Sequence, residues 1–223
     1  MKNRLFLFNI ILNFLFLLLL VLTGLSQSLK AGLMQISFLG GFAQQNAAYF
    51  TCFVTIAFIL FFPLEYYEGF VIEHRYGLSA QSFKAWIKDC IKKVAVSFVI
   101  SLILIEVIYY FLLKFPGTWW LWAAIFWFIV SIVLTRIAPK VLLPLFFKYE
   151  PLPSGILRDK VTGFLNRFKI AAQGVYVLDF SKKTVKANAM VAGLGATKRI
   201  FFSDTMVREF SDEEILAVLA HEV

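Results

Sequence analysis

The last stretch of the sequence carries the residues that could do chemistry: Ser211-Asp212-Glu213-Glu214-Ile215-Leu216-Ala217-Val218-Leu219-Ala220-His221-Glu222-Val223. An imidazole followed by a carboxylate reads as the first half of His-Glu-x-x-His. On a helix, residues four apart share a face, so two imidazoles at that spacing can grip one zinc ion while the intervening Glu works on bound water. The second His would fall at position 225, beyond Val223, so the chain is expected to be cut inside its own motif. The bland alternative is a partly buried polar pair on an ordinary helix, because a His-Glu dipeptide alone is common.

The element that must deliver the pair is a helix with clear start signals. Ser211 can cap it, and Glu214 three residues on completes a capping box. Asp212, Glu213 and Glu214 crowd the first turn, where the helix dipole favours negative charge. Ile215, Leu216, Val218, Leu219 and Ala220 are expected to bury most of the helix.

The chain around this helix is not that of an ordinary soluble domain: 60% of its residues are hydrophobic, 26 are Phe, and the mean hydropathy is +0.78. A membrane span needs about 20 mostly apolar residues, and four windows qualify: 5–25, 47–64, 94–113 and 119–137. Lys2 and Arg4 precede the first, as in a signal peptide, but its apolar run exceeds the roughly 7–15 residues of a signal core and reads as a retained anchor.

The net charge of +8 does not point to nucleic acid, because the Lys and Arg residues are distributed around the spans. With the N-terminus inside, Lys2, Arg4, Arg75, Lys84, Lys88, Lys92, Lys93, Arg136, Lys140 and Lys148 all fall on the cytoplasmic side, leaving Lys30 and Lys114 opposite. This asymmetry is the positive-inside pattern, and it places the C-terminal region in the cytoplasm. Cys52 lies in a predicted span and Cys90 in a cytoplasmic loop, which argues against a disulfide.

Between the first two spans, Ile36–Phe42 is an apolar patch too brief to cross. Phe83–Lys93 reads as an interfacial amphipathic helix, with Phe83, Ile87 and Cys90 or Ile91 on one face. Glu106 sits inside the third span, about 10 Å from its end. An ionisable group at that depth faces a bundle interior or a water-filled cavity, or it is hydrogen-bonded to a neighbouring helix.

From Tyr149 the composition turns soluble. Pro151–Gly155 reads as a stiff turn with Ser154 a helix cap, and Leu157, Val161, Phe164, Leu165 and Phe168 follow at helical spacing as one core-facing stripe. Gly174–Asp179, Lys186–Gly193 and Lys198–Asp204 read as strands, the last two joined by a Gly-containing turn. The expected fold is an α-helical multi-span membrane protein, residues 1–148, followed by an α+β domain, residues 149–223. That domain is too short to close its core alone.

The order of parts resembles the type I CAAX prenyl protease family of integral-membrane zinc metalloproteases. Four stretches carry the resemblance: Phe70–Gly77 with Lys88–Lys93; Ala138–Gly155 with its Pro-Leu-Phe and Pro-Leu-Pro-x-Gly; Val175–Asp179 through Ser181-Lys182-Lys183 to Asn188-Ala189 and Lys198-Arg199-Ile200; and Leu216–Glu222. The likeness runs through residues 60–223. The first 45 residues match poorly and look shortened relative to eukaryotic members, which carry an extra early span.

The resemblance implies a helical barrel around an intramembrane chamber, capped by a gluzincin-like zinc peptidase domain that is incomplete at its C-terminus. It makes His221 a zinc ligand, with the remaining ligands beyond Val223. It makes Glu222 the catalytic residue, taking a proton from water at the metal and later returning one to the leaving amine. Asn188, Ala189, Met190 and Val191 match the family's substrate-binding edge strand, which pairs with an extended peptide by β-augmentation. The alternative for Asn188 is a turn or strand-end residue. The implied cofactor is Zn2+, and the implied partners are the lipid bilayer and a peptide or prenylated protein C-terminus, with no nucleic acid. The 223-residue chain alone is expected to be inactive. The competing class is a non-catalytic multi-span membrane scaffold, or a degenerate homologue, whose terminal helix carries His-Glu by chance.

Overall fold

The computed structural model describes residues 2–36 and 40–223, so residues 37–39 of the apolar patch Ile36–Phe42 lie outside the described residues. The chain forms two compact units, one of residues 1–75 and 93–119 and one of residues 76–92 and 120–223.

In the first unit, α1 (Lys2–Leu22) stops three residues short of the predicted window. Gly24 turns the chain there with φ 71°, a left-handed conformation that glycine adopts without steric cost. The short α2 (Leu25–Met34) packs against α1 and against α3 (Phe42–Tyr66), where the Ser26 and Tyr49 hydroxyls meet at 2.7 Å. A π-helical turn, Tyr67–Ile72, and the one-turn α4 (Glu73–Arg75) prolong α3. The next helix, α5 (Phe83–Lys114), gives its residues from Lys93 onward to this unit. There the Asn46 amide on α3 donates to the Glu106 carboxylate at 3.0 Å, so Glu106 is hydrogen-bonded to a neighbouring helix.

Residues 83–93, read from the sequence as an interfacial amphipathic helix, are helical, and the same helix runs on without a break to Lys114. No Gly or Pro interrupts residues 83–114, so nothing in the backbone ends the helix before the span begins. α6 (Trp119–Ile137) matches its predicted window, and a π-helical turn, Ala138–Leu142, and α7 (Leu143–Phe146) extend it. Among the described residues, four helical runs are long and apolar enough to cross a membrane: Leu5–Leu22, Phe42–Arg75, Phe83–Lys114 and Trp119–Phe146.

The second unit is built on a four-stranded sheet of β1 (Tyr149–Pro151), β2 (Gly174–Leu178), β3 (Ala189–Ala192) and β4 (Arg199–Ser203), in the order β1-β2-β4-β3. β2 and β4 run parallel at the centre, and β1 and β3 pair antiparallel at the edges. One face carries Val175, Ala189, Val191, Ile200 and Phe202. It packs against α8 (Ile156–Arg167), α9 (Asp204–Glu209) and α10 (Asp212–Glu222) through Val161, Leu165, Met206, Ile215 and Leu219. The opposite face gathers Tyr149, Tyr176 and Phe201, with ring centroids 5.2–5.5 Å apart, Tyr149 meeting the other two rings edge-on.

Two local expectations are corrected in α8. Gly155 precedes the helix without a side-chain cap, while the Ser154 hydroxyl accepts a hydrogen bond from Arg158. Phe168 stays exposed, because it follows the last residue of α8 as its C-cap and leaves the helical stripe of Val161 and Leu165.

Candidate active site

The site is assembled on α10 and β3. The capping box forms as the sequence requires: the Glu214 amide donates to the Ser211 hydroxyl at 3.4 Å, and the Ser211 amide donates to the Glu214 carboxylate at 2.8 Å. The amide and hydroxyl of Ser211 hold the Glu214 carboxyl below its ordinary range. A second clamp comes from α8, where Lys160 reaches Glu213 at 2.7 Å and Asp212 at 3.0 Å. That contact lowers the Glu213 carboxyl and raises the Lys160 ammonium. Both groups are solvent-exposed, so its role is orientation more than stability.

Ile215 and Leu219, four residues apart, are fully buried on the face of α10 that meets β3 and α8. Ala220 is exposed, contrary to expectation, because it lies off that stripe. His221 and Glu222 occupy the last turn and are solvent-exposed, so the polar pair is not buried. Among the described residues, no hydrogen bond or ion pair engages either side chain. An exposed imidazole with no internal partner suits one position in a zinc shell. No three His, Cys, Asp or Glu side chains converge on a common point among the described residues.

β3 is an edge strand. Asn188 lies just before it: its carbonyl accepts from the Ser203 amide at 2.8 Å, and its amide donates to the Ser203 hydroxyl at 2.9 Å. In an antiparallel ladder, residues alternate between facing the partner strand and facing away. With Asn188 facing β4, Met190 faces it too, and the amide and carbonyl groups of Ala189 and Val191 point to the open side. Side chains alternate in the other sense. Those of Ala189 and Val191 enter the core under α10, while Asn188 is exposed and Met190 lines an apolar groove of about 250 Å³ with Ala192, Pro139, Leu143, Phe146 and Phe147. The four predicted peptide-contacting residues therefore divide into two with outward backbone and two with accessible side chains.

The residues that hold this edge in place were not visible in the sequence. Ser203, fully buried, caps α9 by accepting from the Met206 amide while it holds the Asn188 amide. Asp204 accepts from the Phe180, Ser181 and Thr205 amides and from the Ser181 hydroxyl, fixing the loop between β2 and β3. Burial pushes its carboxyl up, but these donors outweigh burial and hold it below the ordinary value.

Residues 1–148 match the family described as CAAX prenyl protease N-terminal, five membrane helices, and residues 151–223 match Peptidase family M48. The chain belongs to the CAAX prenyl protease family. Within that family it is 35% identical to CAAX prenyl protease 1 of Saccharomyces cerevisiae over 165 residues, 72% of this chain and 36% of the yeast protein. It is 29% identical over its whole length to a Bacillus subtilis protein named Uncharacterized metalloprotease YhfN, of which it covers 51%. The crystal structure of S. mikatae Ste24p superimposes with a TM-score of 0.88 at 28% identity, covering 99% of this chain and 53% of that one. The chain spans about a third to a half of the length of these relatives. The likeness extends through the first 45 residues as well as the motif-bearing residues 60–223.

Proposed function

We propose that the chain forms the membrane part and the first portion of the catalytic unit of a membrane-embedded zinc metalloendopeptidase acting on extended peptides. The observation that carries this reading is the packing of α10, with His221 and Glu222 in its last turn, against the edge strand β3 in a chain of this family. His221 would hold the metal together with ligands from elsewhere in the full-length protein, so the 223 residues alone are expected to bind zinc weakly and to be inactive. Zinc, when bound, supplies Lewis acidity that makes hydroxide available near neutral pH and polarises a carbonyl.

The remaining roles belong to this chain. The Ala189 and Val191 backbone pairs with an extended substrate, and Asn188 and Met190 sort its side chains. The Glu222 carboxylate takes a proton from the attacking water and returns one to the departing amine. The names of the relatives point to the C-termini of prenylated proteins as the substrate class, and a host without prenylation would present other membrane-associated peptides. The distribution of Lys and Arg supports a cytoplasmic N-terminus and catalytic unit.

The test is Glu222→Gln in the full-length protein, an isosteric change that cannot accept the proton. Cleavage of a peptide should fall by about 10²–10⁴-fold while zinc content and peptide affinity stay near wild type. His221→Ala should lose metal and activity together. Near-normal cleavage by Glu222→Gln with zinc retained excludes Glu222 as the base.

A further inference from the structure

The loop between β2 and β3 is tied at its far end by a segment that, in sequence, belongs to the membrane half of the chain. Residues 78–81 lie alongside residues 183–185 as a fragment of antiparallel strand, with Ser79 bridging Thr184. The Ala80 amide donates to the Lys183 carbonyl at 3.1 Å, the Val185 amide to the Leu78 carbonyl at 3.2 Å, and the Thr184 hydroxyl to the same Leu78 carbonyl at 2.8 Å. From the first turns of α5, the Asp89 carboxylate meets the Lys183 ammonium at 2.5 Å and accepts from the Gln81 amide at 2.6 Å. Both charged side chains are only 22% exposed. Lys92 lies 3.9 Å from Asp89 and donates to the Leu145 carbonyl at 2.9 Å.

The Lys183 ammonium has a second neighbour. It sits 4.4 Å above the Phe147 ring and 5.8 Å from that of Phe146, within cation–π range. Phe147 in turn stacks on Phe180 at the start of the loop, with centroids 4.6 Å apart. Phe146 and Phe147 also form the wall of the apolar groove that faces Met190 and Ala192. One cation therefore joins three parts: the start of α5, the wall of the groove, and the loop that delivers the edge strand.

We infer that Lys183 and Asp89 are positioning residues that set the spacing between the edge strand β3 and the Phe146–Phe147 wall, and so the fit of a substrate side chain in the groove. Neither residue touches the reacting atoms. Their effect falls on peptide binding, because the pair fixes where the Asn188–Val191 backbone lies and leaves α10 to its own clamps, Lys160 and the Ser211 cap. The inference rests on the peptidase reading above.

The experiment uses the full-length protein with Lys183→Met, Lys183→Arg, Asp89→Asn and the Asp89→Asn/Lys183→Met double variant, assayed on an extended peptide with an aliphatic residue after the scissile bond. Lys183→Met and Asp89→Asn should each raise KM by about 3–30-fold with kcat within about twofold, the signature of lost binding common to ground and transition states. Lys183→Arg, which keeps both the ion pair and the ring contact, should restore KM to within about threefold. The double variant should be no worse than the poorer single variant by more than about twofold, because the two residues act as one unit. In parallel, the Val185 and Asn188 amides should exchange at least about fivefold faster in Lys183→Met.

A fall in kcat at constant KM, the result of a smaller correctly folded fraction, overturns the inference, as does an unchanged KM in both single variants. Asp89→Asn, which preserves shape, keeps the test available where Lys183→Met fails to fold. Failure of the wild-type protein to cleave any peptide defeats the peptidase reading instead. The amide-exchange comparison then still decides the tie between loop and helix, and unchanged exchange at Val185 and Asn188 refutes it.

Discussion

Ser203→Ala should loosen the edge strand from beneath. The Ser203 side chain is fully buried, and its oxygen accepts from the Asn188 amide at 2.9 Å and the Met206 amide at 3.2 Å, and lies 2.9 Å from the Thr205 hydroxyl. Alanine removes the cap of α9, worth about 1 kcal/mol. It also takes the acceptor from the Asn188 amide, whose part-buried hydrogen bond lies against the fully buried Ser203, at a cost of about 1–3 kcal/mol for a donor left unsatisfied there. The expected loss is about 2–4 kcal/mol, which for a chain of this size lowers the midpoint of thermal unfolding by about 4–16 °C. The contrasting change is Ser211→Ala, which removes an exposed cap for about 1 kcal/mol and leaves β3 untouched. Thermal unfolding in detergent at a fixed scan rate, with amide exchange at Asn188, measures both. Exchange at Asn188 should accelerate by about 5–150-fold in Ser203→Ala, following the local cost, and should not change in Ser211→Ala. A Ser203→Ala protein that melts within about 1 °C of wild type with Asn188 still protected refutes the assignment of Ser203 as the anchor of the edge.

Two glycines should respond oppositely to alanine. Gly193 has φ 107°, and an added methyl would lie 2.6 Å from the Thr197 carbonyl oxygen, so Gly193→Ala should destabilise by about 1–3 kcal/mol. Gly163, inside α8, has nothing within 4 Å of that position, and Gly163→Ala should stabilise by about 0.5–1 kcal/mol in the same melts. The lowered pKa of Asp204 makes its loop acid-sensitive. Its folded value lies below its unfolded one, so the stabilisation is present above the ordinary value of 3.8 and is lost as pH falls through the folded value. Pepsin cleavage near Phe180 should therefore rise steeply below about pH 4, the unperturbed carboxylate range. In Asp204→Asn it should be fast already at pH 5, and equal sensitivity of the two proteins at pH 5 counts against the role. Single cysteines at positions 84 and 197 should label only from the cytoplasmic face, and labelling of either from the opposite face overturns the proposed orientation.

Much of the candidate site's local structure was legible because its signals are local. The Ser211–Glu214 box, the Ile215 and Leu219 stripe and the His221-Glu222 pair lie within one short helix, and each fixes the next by helical spacing. The spans were legible from apolar runs, and β2 and β4 from β-branched and aromatic clusters. What escaped was decided at long range. β1 contains Pro151 and reads as a turn, and it is a strand only because Tyr149–Pro151 find β2 more than twenty residues later. The pairing of residues 78–81 with 183–185 joins segments about a hundred residues apart that carry no periodicity of their own. Ser203 and Asp204 look like ordinary strand-end residues until the loop from Asp179 to Asn188 is folded onto them.

The edge of β3 is short, and its length sets a time scale. With Ala189 and Val191 facing outward, a peptide docked there as proposed would gain four backbone hydrogen bonds, about 2–6 kcal/mol in total at about 0.5–1.5 kcal/mol each, before the cost of association. A dissociation constant of 1 mM corresponds to about 4 kcal/mol, so the strand by itself holds peptide at millimolar strength or weaker. At association rates of about 10⁵–10⁷ M⁻¹s⁻¹, such a complex parts at about 10² s⁻¹ or faster, ahead of a typical turnover of about 10 s⁻¹. On the peptidase reading, a cleaved product that kept only its strand contacts would therefore leave before the next cycle begins. Longer residence would have to come from the groove beside Met190 or from contacts outside the sheet, so the proposed edge would sample peptides and its surroundings would retain them.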